Sequence, residues 1–342
     1  MIPENKIKEL RAELENSHRP LFFFDDDSDG LASFLLFYRF IKEGKGVITK
    51  DGPKIEKKYA RKVDEYMPDK VFILDKPIVE QDFIDSVKQK IIWLDHHPAV
   101  KRKNIHYYNP RLYDKDNNLP TAYWAYRTVE QDLWIAMIGI VGDWQLPEKP
   151  AKEFRTEYPD LLPENVKKPE DALFKTKLGE LIRIISFNLK GTINDSMKSV
   201  KVMTRIKEPY EILKRKTPAG KYLYKKYLGE NKKYQKLMKK VKITKDKILF
   251  FFYKSINNSF TGDLSNELLY RHPDKIIFIA REVNDRVQCS LRSKKIKLPE
   301  IIEKSLVNIN GYGGGHDHAC GASISRDDFD KFLNNFRKFL KN

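Results

Sequence analysis

The feature that most constrains this 342-residue chain is a repeated local pattern in its first half, where short apolar runs end in an acid or a histidine and helix-length stretches separate them. PLFFFD (20–25) passes through DDSDG into LASFLLFYRFIKEG. GVIT (46–49), a charged helical stretch at 54–67, KVFILD (70–75), another helical stretch at 79–90 and IIWLD (91–95) follow. Runs of this length that are apolar on both faces suit strands covered on both sides of a sheet. About ten to fifteen helix-patterned residues between them suit parallel crossovers. The pattern predicts an α/β fold with a parallel sheet. The segments 121–129 and 133–142 read as helices, and MIPENKIKELRAELENSHRP as an opening amphipathic helix.

The middle of the chain, about 150–245, shows no convincing strand. It starts with prolines (Pro147, Pro150, Pro159, Pro163, Pro169) and becomes helical and basic, ending in KYLYKKYLGENKKYQKLMKKVK. Residues 201–247 hold seventeen Lys and Arg against four Asp and Glu, a net of +13 out of the chain's +17. Such a concentration is the electrostatic footprint of a polyanionic partner, and the tyrosines inside it (Tyr222, Tyr224, Tyr227, Tyr234) offer either base stacking or helix packing. Beyond 246 the pattern changes again. KILFFFYKS, KIIFIARE and RVQCSLRS read as strands, GYGGGHDHACGAS as a glycine-dense loop, and 327–340 as a terminal helix. The expected organisation is a catalytic domain at 1–185, a basic helical connector at 186–245 and a smaller α/β substrate-binding domain at 246–342. Two cysteines, Cys289 and Cys320, exclude a disulfide framework. No apolar run is long enough to cross a bilayer and no signal-peptide pattern is present, so a soluble cytoplasmic protein without membrane partners is expected.

The acids at the ends of the apolar runs carry the chemistry. Asp25, Asp26, Asp27 and Asp29 follow the first run, Asp75 the third, Asp95-His96-His97 the fourth, and Asp143 the later run AMIGIVG. In an open parallel sheet these positions share the rim where ligands bind. So many like charges in one crevice repel unless cations neutralise them. Carboxylates with imidazole and no thiolate suit Mn²⁺ or Mg²⁺, with histidine favouring Mn²⁺. A pair of such ions about 3.5–4 Å apart would acidify a water and clamp a phosphoryl group.

DDDSDG (25–30), FILD (72–75), LDHHP (94–98), IVGDW (140–144) and GGGH (313–316), in that order, resemble the motifs of the DHH phosphoesterase superfamily with its DHH-associated C-terminal domain. The RecJ-type nuclease branch is the nearest in pattern, because Pro98 follows the DHH triplet. The resemblance implies that Asp27, Asp29, Asp75, His96 and Asp143 hold metal, with Asp75 bridging two ions. Many relatives carry a histidine upstream of the paired aspartates; this chain has Asp25, which the resemblance makes the substitute ligand. His97 would face the scissile phosphate, and Asp95 would orient the neighbouring imidazole or support the metal shell. In the C-terminal domain, Gly313, Gly314 and Gly315 let backbone N–H groups approach the substrate, while His316 and Arg292 would contact phosphate.

These readings converge on a manganese-dependent exonuclease for single-stranded DNA or RNA, with replication or repair proteins as possible partners. The competing expectation is a short-oligonucleotide hydrolase, like nanoRNases or adenosine-bisphosphate phosphatases, because bacterial RecJ enzymes carry an extra OB-fold that the sequence does not show after GGGH. A replication-fork scaffold related to RecJ is a further alternative. Against it, every ligand position is filled by a chelating residue.

Overall fold

The computed structural model of the chain describes residues 1–254 and 258–340, so Ser255, the last residue of KILFFFYKS, lies outside the described residues. The chain divides into two compact units, Met1–Leu228 and Gly229–Asn342. In the first unit the strands are β1 (Leu21–Asp25), β2 (Lys45–Thr49), β3 (Lys54–Ile55), β4 (Lys70–Leu74), β5 (Ile78–Val79), β6 (Lys90–Leu94) and β7 (His106–Tyr108). Five of them form a parallel sheet in the order β2-β1-β4-β6-β7, while β3 and β5 pair as a separate ribbon. The chain leaves β1 for β2 on one side and returns to β4 on the other. That reversal is a topological switch point, where α/β sheets open a crevice beyond their strand ends.

Burial explains why the strand sequences read as continuous apolar runs. Phe23, with Leu21, Val71, Ile73 and Trp93, packs on one face beside Ile55, Val63 and Phe83. Phe22 and Phe24 turn to the other face, stacking with Phe72 (5.1 Å) and Phe34 (4.6 Å). Each such phenylalanine contributes about 1.5–3 kcal/mol by leaving water. The second face is covered by the helices Ser28–Ile41 and Thr121–Val129, and the helix Leu133–Gly142 packs on both of them.

Two expected helices are shorter than their patterns. The stretch 54–67 starts as β3 and a 3-10 turn before the helix Ala60–Tyr66, and 79–90 keeps a helix only at Gln81–Ser86. Ile55 and Val79 are fully buried and pair with each other across β3 and β5, which draws both segments out of helix. The described residues of 150–245 are helical or irregular. They include Lys177–Asn188, Ile193–Met203 and the 21-residue helix Pro218–Met238, in which the unit boundary falls.

The second unit is a mixed sheet of β8 (Ile248–Lys254), β9 (Ile276–Val283), β10 (Arg286–Arg292), β11 (Gly311–His316) and β12 (Ala319–Ser325), in the order β11-β12-β10-β9-β8. Only β8 and β9 are parallel. One face carries Phe278, Val287, Cys289, Leu291 and Ile324 against Phe329, Phe332 and Phe336 of the terminal helix Phe329–Phe339. The glycine-dense loop expected at 311–316 is instead edge strand β11, paired antiparallel with β12. Glycine is what permits the pairing: a Cβ on Gly313 would lie 2.8 Å from the Ala322 Cβ and 2.9 Å from the Gly321 carbonyl oxygen.

Candidate metal centre

The first wall of the centre is built where β1 meets the helix Ser28–Ile41. Asp27 caps that helix, one oxygen accepting from the N–H groups of Asp29 (3.0 Å) and Gly30 (2.9 Å). Asp29 sits buried in the first turn. Its two oxygens accept from the N–H groups of Thr121 (2.8 Å) and Ala122 (2.7 Å), which start the helix Thr121–Val129. The helix approaches β1 so closely that a Cβ on Gly30 would lie 2.6 Å from the Asp25 nitrogen and 2.7 Å from its oxygen. Asp26 is exposed and joins no group of potential ligands among the described residues.

The second wall comes from the ends of β4 and β6. Asp75 adopts φ 59°, a left-handed conformation that Asp tolerates better than most side chains. Its N–H donates to the Leu94 carbonyl (3.0 Å), and Thr121 Oγ1 donates to its Oδ1 (3.1 Å). His96 follows β6 and brings Nε2 to 3.6 Å from Asp75 Oδ1, 3.6 Å from Asp143 Oδ2 and 3.9 Å from Asp29 Oδ2. Asp95, fully buried, is engaged elsewhere. Its Oδ1 meets His97 Nδ1 at 2.8 Å, and its Oδ2 accepts from the His97 N–H (3.0 Å) and Asn109 Nδ2 (3.2 Å). The expected orienting carboxylate therefore lies on His97.

Asp143 closes the helix Leu133–Gly142, the helix expected there, so this acid comes from a helix end although it was grouped with the strand ends; it is half-buried and brings Oδ2 to 3.6 Å from His96 Nε2. AMIGIVG is buried all round inside that helix, so its apolar run carries no period that separates helix from strand.

Three overlapping sets of side chains have ligand atoms within 4.8 Å of one another: Asp29, His96 and Asp143; Asp75, His96 and His97; and Asp25, Asp27 and Asp75. Loss of water, reinforced by neighbouring carboxylates, raises Asp29 well above the usual range and pushes Asp75 and Asp143 up to about 7. Burial also pushes Asp25 up to about 7, despite the Lys76 ammonium beside it. For His97 burial disfavours the charged ring, yet the Asp95 hydrogen bond and nearby acids outweigh it and raise the imidazolium to about 9. Two carboxylates about 4 Å apart repel by about 4 kcal/mol at a protein-like dielectric, so an arrangement like this calls for positive charge. Oxygen donors with imidazole and no thiolate fit a hard divalent cation.

The sequence reading missed Lys76. Its side chain is fully buried, and Nζ donates to Asp25 Oδ1 and to the Gly52 carbonyl, both at 2.8 Å. A lysine between Asp75 and Pro77 reads as an exposed turn residue; the only hint was the crowd of acids needing countercharge.

In the second unit the expected substrate residues share a neighbourhood. Arg292 on β10 and His316 on β11 both pair with Ala319 of β12, which places them in one cross-strand row. Arg292 Nε donates to Asn266 Oδ1 (2.8 Å), and burial pulls its guanidinium down to about 10. Gly313, Gly314 and Gly315 are exposed along the sheet edge, and Gly315 has φ 142°. Of the four tyrosines, Tyr227 and Tyr234 are buried as packing residues, Tyr224 lies under the Arg215 guanidinium (4.8 Å), and Tyr222 is exposed.

A parallel sheet with an acid and imidazole centre at its switch point, joined to a smaller mixed-sheet unit, defines the class. Two family models match the chain, the DHH family N-terminal domain over residues 21–148 and the DHHA1 domain over 245–342, together about two thirds of it. The chain belongs to the DHH phosphoesterase superfamily and has a RecJ-like fold. RecJ from Thermus thermophilus in complex with Mn²⁺ is similar with a TM-score of 0.70 and 14% identity, over 99% of this chain and 55% of that one. The chain thus spans little more than half the length of that enzyme. An exonuclease RecJ bound to manganese gives 0.63 and 15%, covering 97% of this chain and 94% of the other. CDC45 from Entamoeba histolytica gives 0.55 and 10%, covering 99% of each. At these identities the likeness establishes the fold alone. No curated protein sequence matches the chain.

Proposed function

We propose that the chain is a divalent-metal-dependent phosphodiesterase that removes nucleotides from an end of single-stranded DNA or RNA. The observation that carries this reading is the position of His96 Nε2, 3.6–3.9 Å from Asp29, Asp75 and Asp143 in the switch-point crevice. Asp29, Asp75, His96 and Asp143 hold a divalent cation, with Asp25 and Asp27 offering oxygens on the far side of Asp75. Mn²⁺ suits the imidazole better than Mg²⁺, and two RecJ structures of similar fold contain manganese. Such ions supply Lewis-acid polarisation of a phosphoryl oxygen and lower the pKa of water.

The protein's own groups do the remaining work. His97, cationic at neutral pH, is held through Nδ1 by Asp95, which leaves its other N–H for a phosphate oxygen. Arg292, the glycines Gly313–Gly315 of β11 and His316 bind the strand in the second unit. The basic helix Pro218–Met238 favours a polymer, because only a polymer presents many phosphates. Lys221, Lys225, Lys232 and Lys236 along it are exposed. No helix among the described residues is long and apolar enough to cross a membrane. The likeness to CDC45 supports replication proteins as partners.

The test uses strands labelled at the 5′ or the 3′ end, as DNA and as RNA, with Mn²⁺ and with a chelator. Metal-dependent shortening from one end is expected. A strong preference for dinucleotides over longer strands would contradict the strand reading and leave a short-oligonucleotide hydrolase.

A further inference from the structure

Lys76, like the His97 ring, carries a charge of the wrong sign for a metal ligand; unlike that ring it is fully buried, and it is locked in place. Asp75, just before it, turns through φ 59°. The Lys76 carbonyl accepts the Trp93 indole N–H at 2.9 Å, and Trp93 stacks on Tyr107 at 3.8 Å. Nζ is then fixed between Asp25 Oδ1 and the Gly52 carbonyl. With no exposed surface the ammonium cannot reach a substrate. A charge that has lost its water persists only when well paired, so its role lies among the acids.

The two sides of the centre differ in whether a buried ammonium pairs with their carboxylates. Asp25 Oδ1 is taken by Lys76 and by the Asp26 N–H (2.9 Å), and Asp27 Oδ1 by two backbone N–H groups. Asp25 is therefore paired with a resident ammonium, while Asp27 is held by neutral backbone donors. On the other side, Asp29 and Asp75 accept only from the neutral donors of Thr121 and Ala122. His97 Nδ1 stands 4.0 Å from Asp75 Oδ1, no Lys or Arg among the described residues pairs with Asp29, Asp75 or Asp143, and three carboxylates face His96 Nε2. A divalent ion at Asp25, Asp27 and Asp75 would be repelled by the ammonium paired with Asp25; one at His96 would meet three carboxylates that no Lys or Arg among the described residues pairs with.

We propose that Lys76 is a built-in cation standing in for a second metal on the Asp25 side of the centre. The chain then binds one divalent ion tightly, at Asp29, Asp75, His96 and Asp143. It binds a second, at Asp25, Asp27 and Asp75, at least tenfold more weakly. Asp25 is on this view the partner of Lys76 before it is a ligand. The inference rests on the metal-dependent reading above and assigns the number of ions within it.

The experiment is calorimetric titration of the whole protein with Mn²⁺ alone, with the ions that survive desalting counted by mass spectrometry. Wild type is expected to retain one ion per chain. Lys76→Met should retain two, its second ion binding at least tenfold tighter than in wild type. Asp25→Asn should keep the single tight ion unchanged. Two ions of equal affinity in wild type would overturn the proposal while leaving metal-dependent hydrolysis standing; no binding at all would sink both. A folded Lys76→Met that still holds one ion, or an Asp25→Asn that loses it, would also overturn the proposal. Should Lys76→Met fail to fold, the wild-type count and Asp25→Asn decide.

Discussion

Asp95 shows how a centre of this kind depends on residues that touch neither metal nor substrate. Both its oxygens are committed to His97 and Asn109, and Tyr107 Oη adds a contact at 3.4 Å. Asp95→Asn keeps the shape and removes the charge that holds His97 cationic. We expect turnover to fall about 10- to 100-fold, the usual effect of losing such an outer partner, with KM moving less. Steady-state rates on one labelled strand check this, and an unchanged kcat would contradict it. The acids themselves were legible because each follows an apolar run. Lys76 was not, since burial of a lysine is decided by the turn at Asp75 and by Trp93, neither of which its neighbours in sequence reveal.

At the level of elements, the centre depends on how closely the helix Ser28–Ile41 seats on β1. Gly30→Ala would push a methyl into the Asp25 backbone. Overpacking of this kind costs about 1–3 kcal/mol, read as a lower urea midpoint. Because Asp27 and Asp29 ride on the same turn, weaker Mn²⁺ binding should accompany it; a variant as stable as wild type would show that the contact relaxes freely. The parallel strands were readable from length and burial on both faces. The strand at Gly311–His316 was not, because glycine ordinarily weakens strands, and here it is selected by the close approach of β12. Asp143 was found by its acid and grouped with the strand ends, although its segment reads as a helix and is one.

For the molecule as a whole, charge predicts two behaviours. Metal that binds the folded centre stabilises it by mass action, about 2.7 kcal/mol when free ion is 100 times Kd, so Mn²⁺ should raise the melting temperature and a chelator should reverse the rise. A melting temperature indifferent to Mn²⁺ would count against a folded-state metal site. The basic segment makes strand binding sensitive to salt, with a slope of about 0.7 per phosphate neutralised. Changing Lys221 and Lys225 to Glu should flatten that slope for long strands and leave dinucleotide hydrolysis nearly unaltered; equal losses on both would argue against a polymer groove. Beneath all of this lies the carboxylate and imidazole centre gathered around His96 at the sheet's switch point. His96→Ala tests it most directly, by Mn²⁺ titration and strand hydrolysis on the same preparation. A metal-dependent hydrolase loses the tight ion and its activity together while staying folded, and a variant that digests single strands undiminished would show that the centre does not lie there.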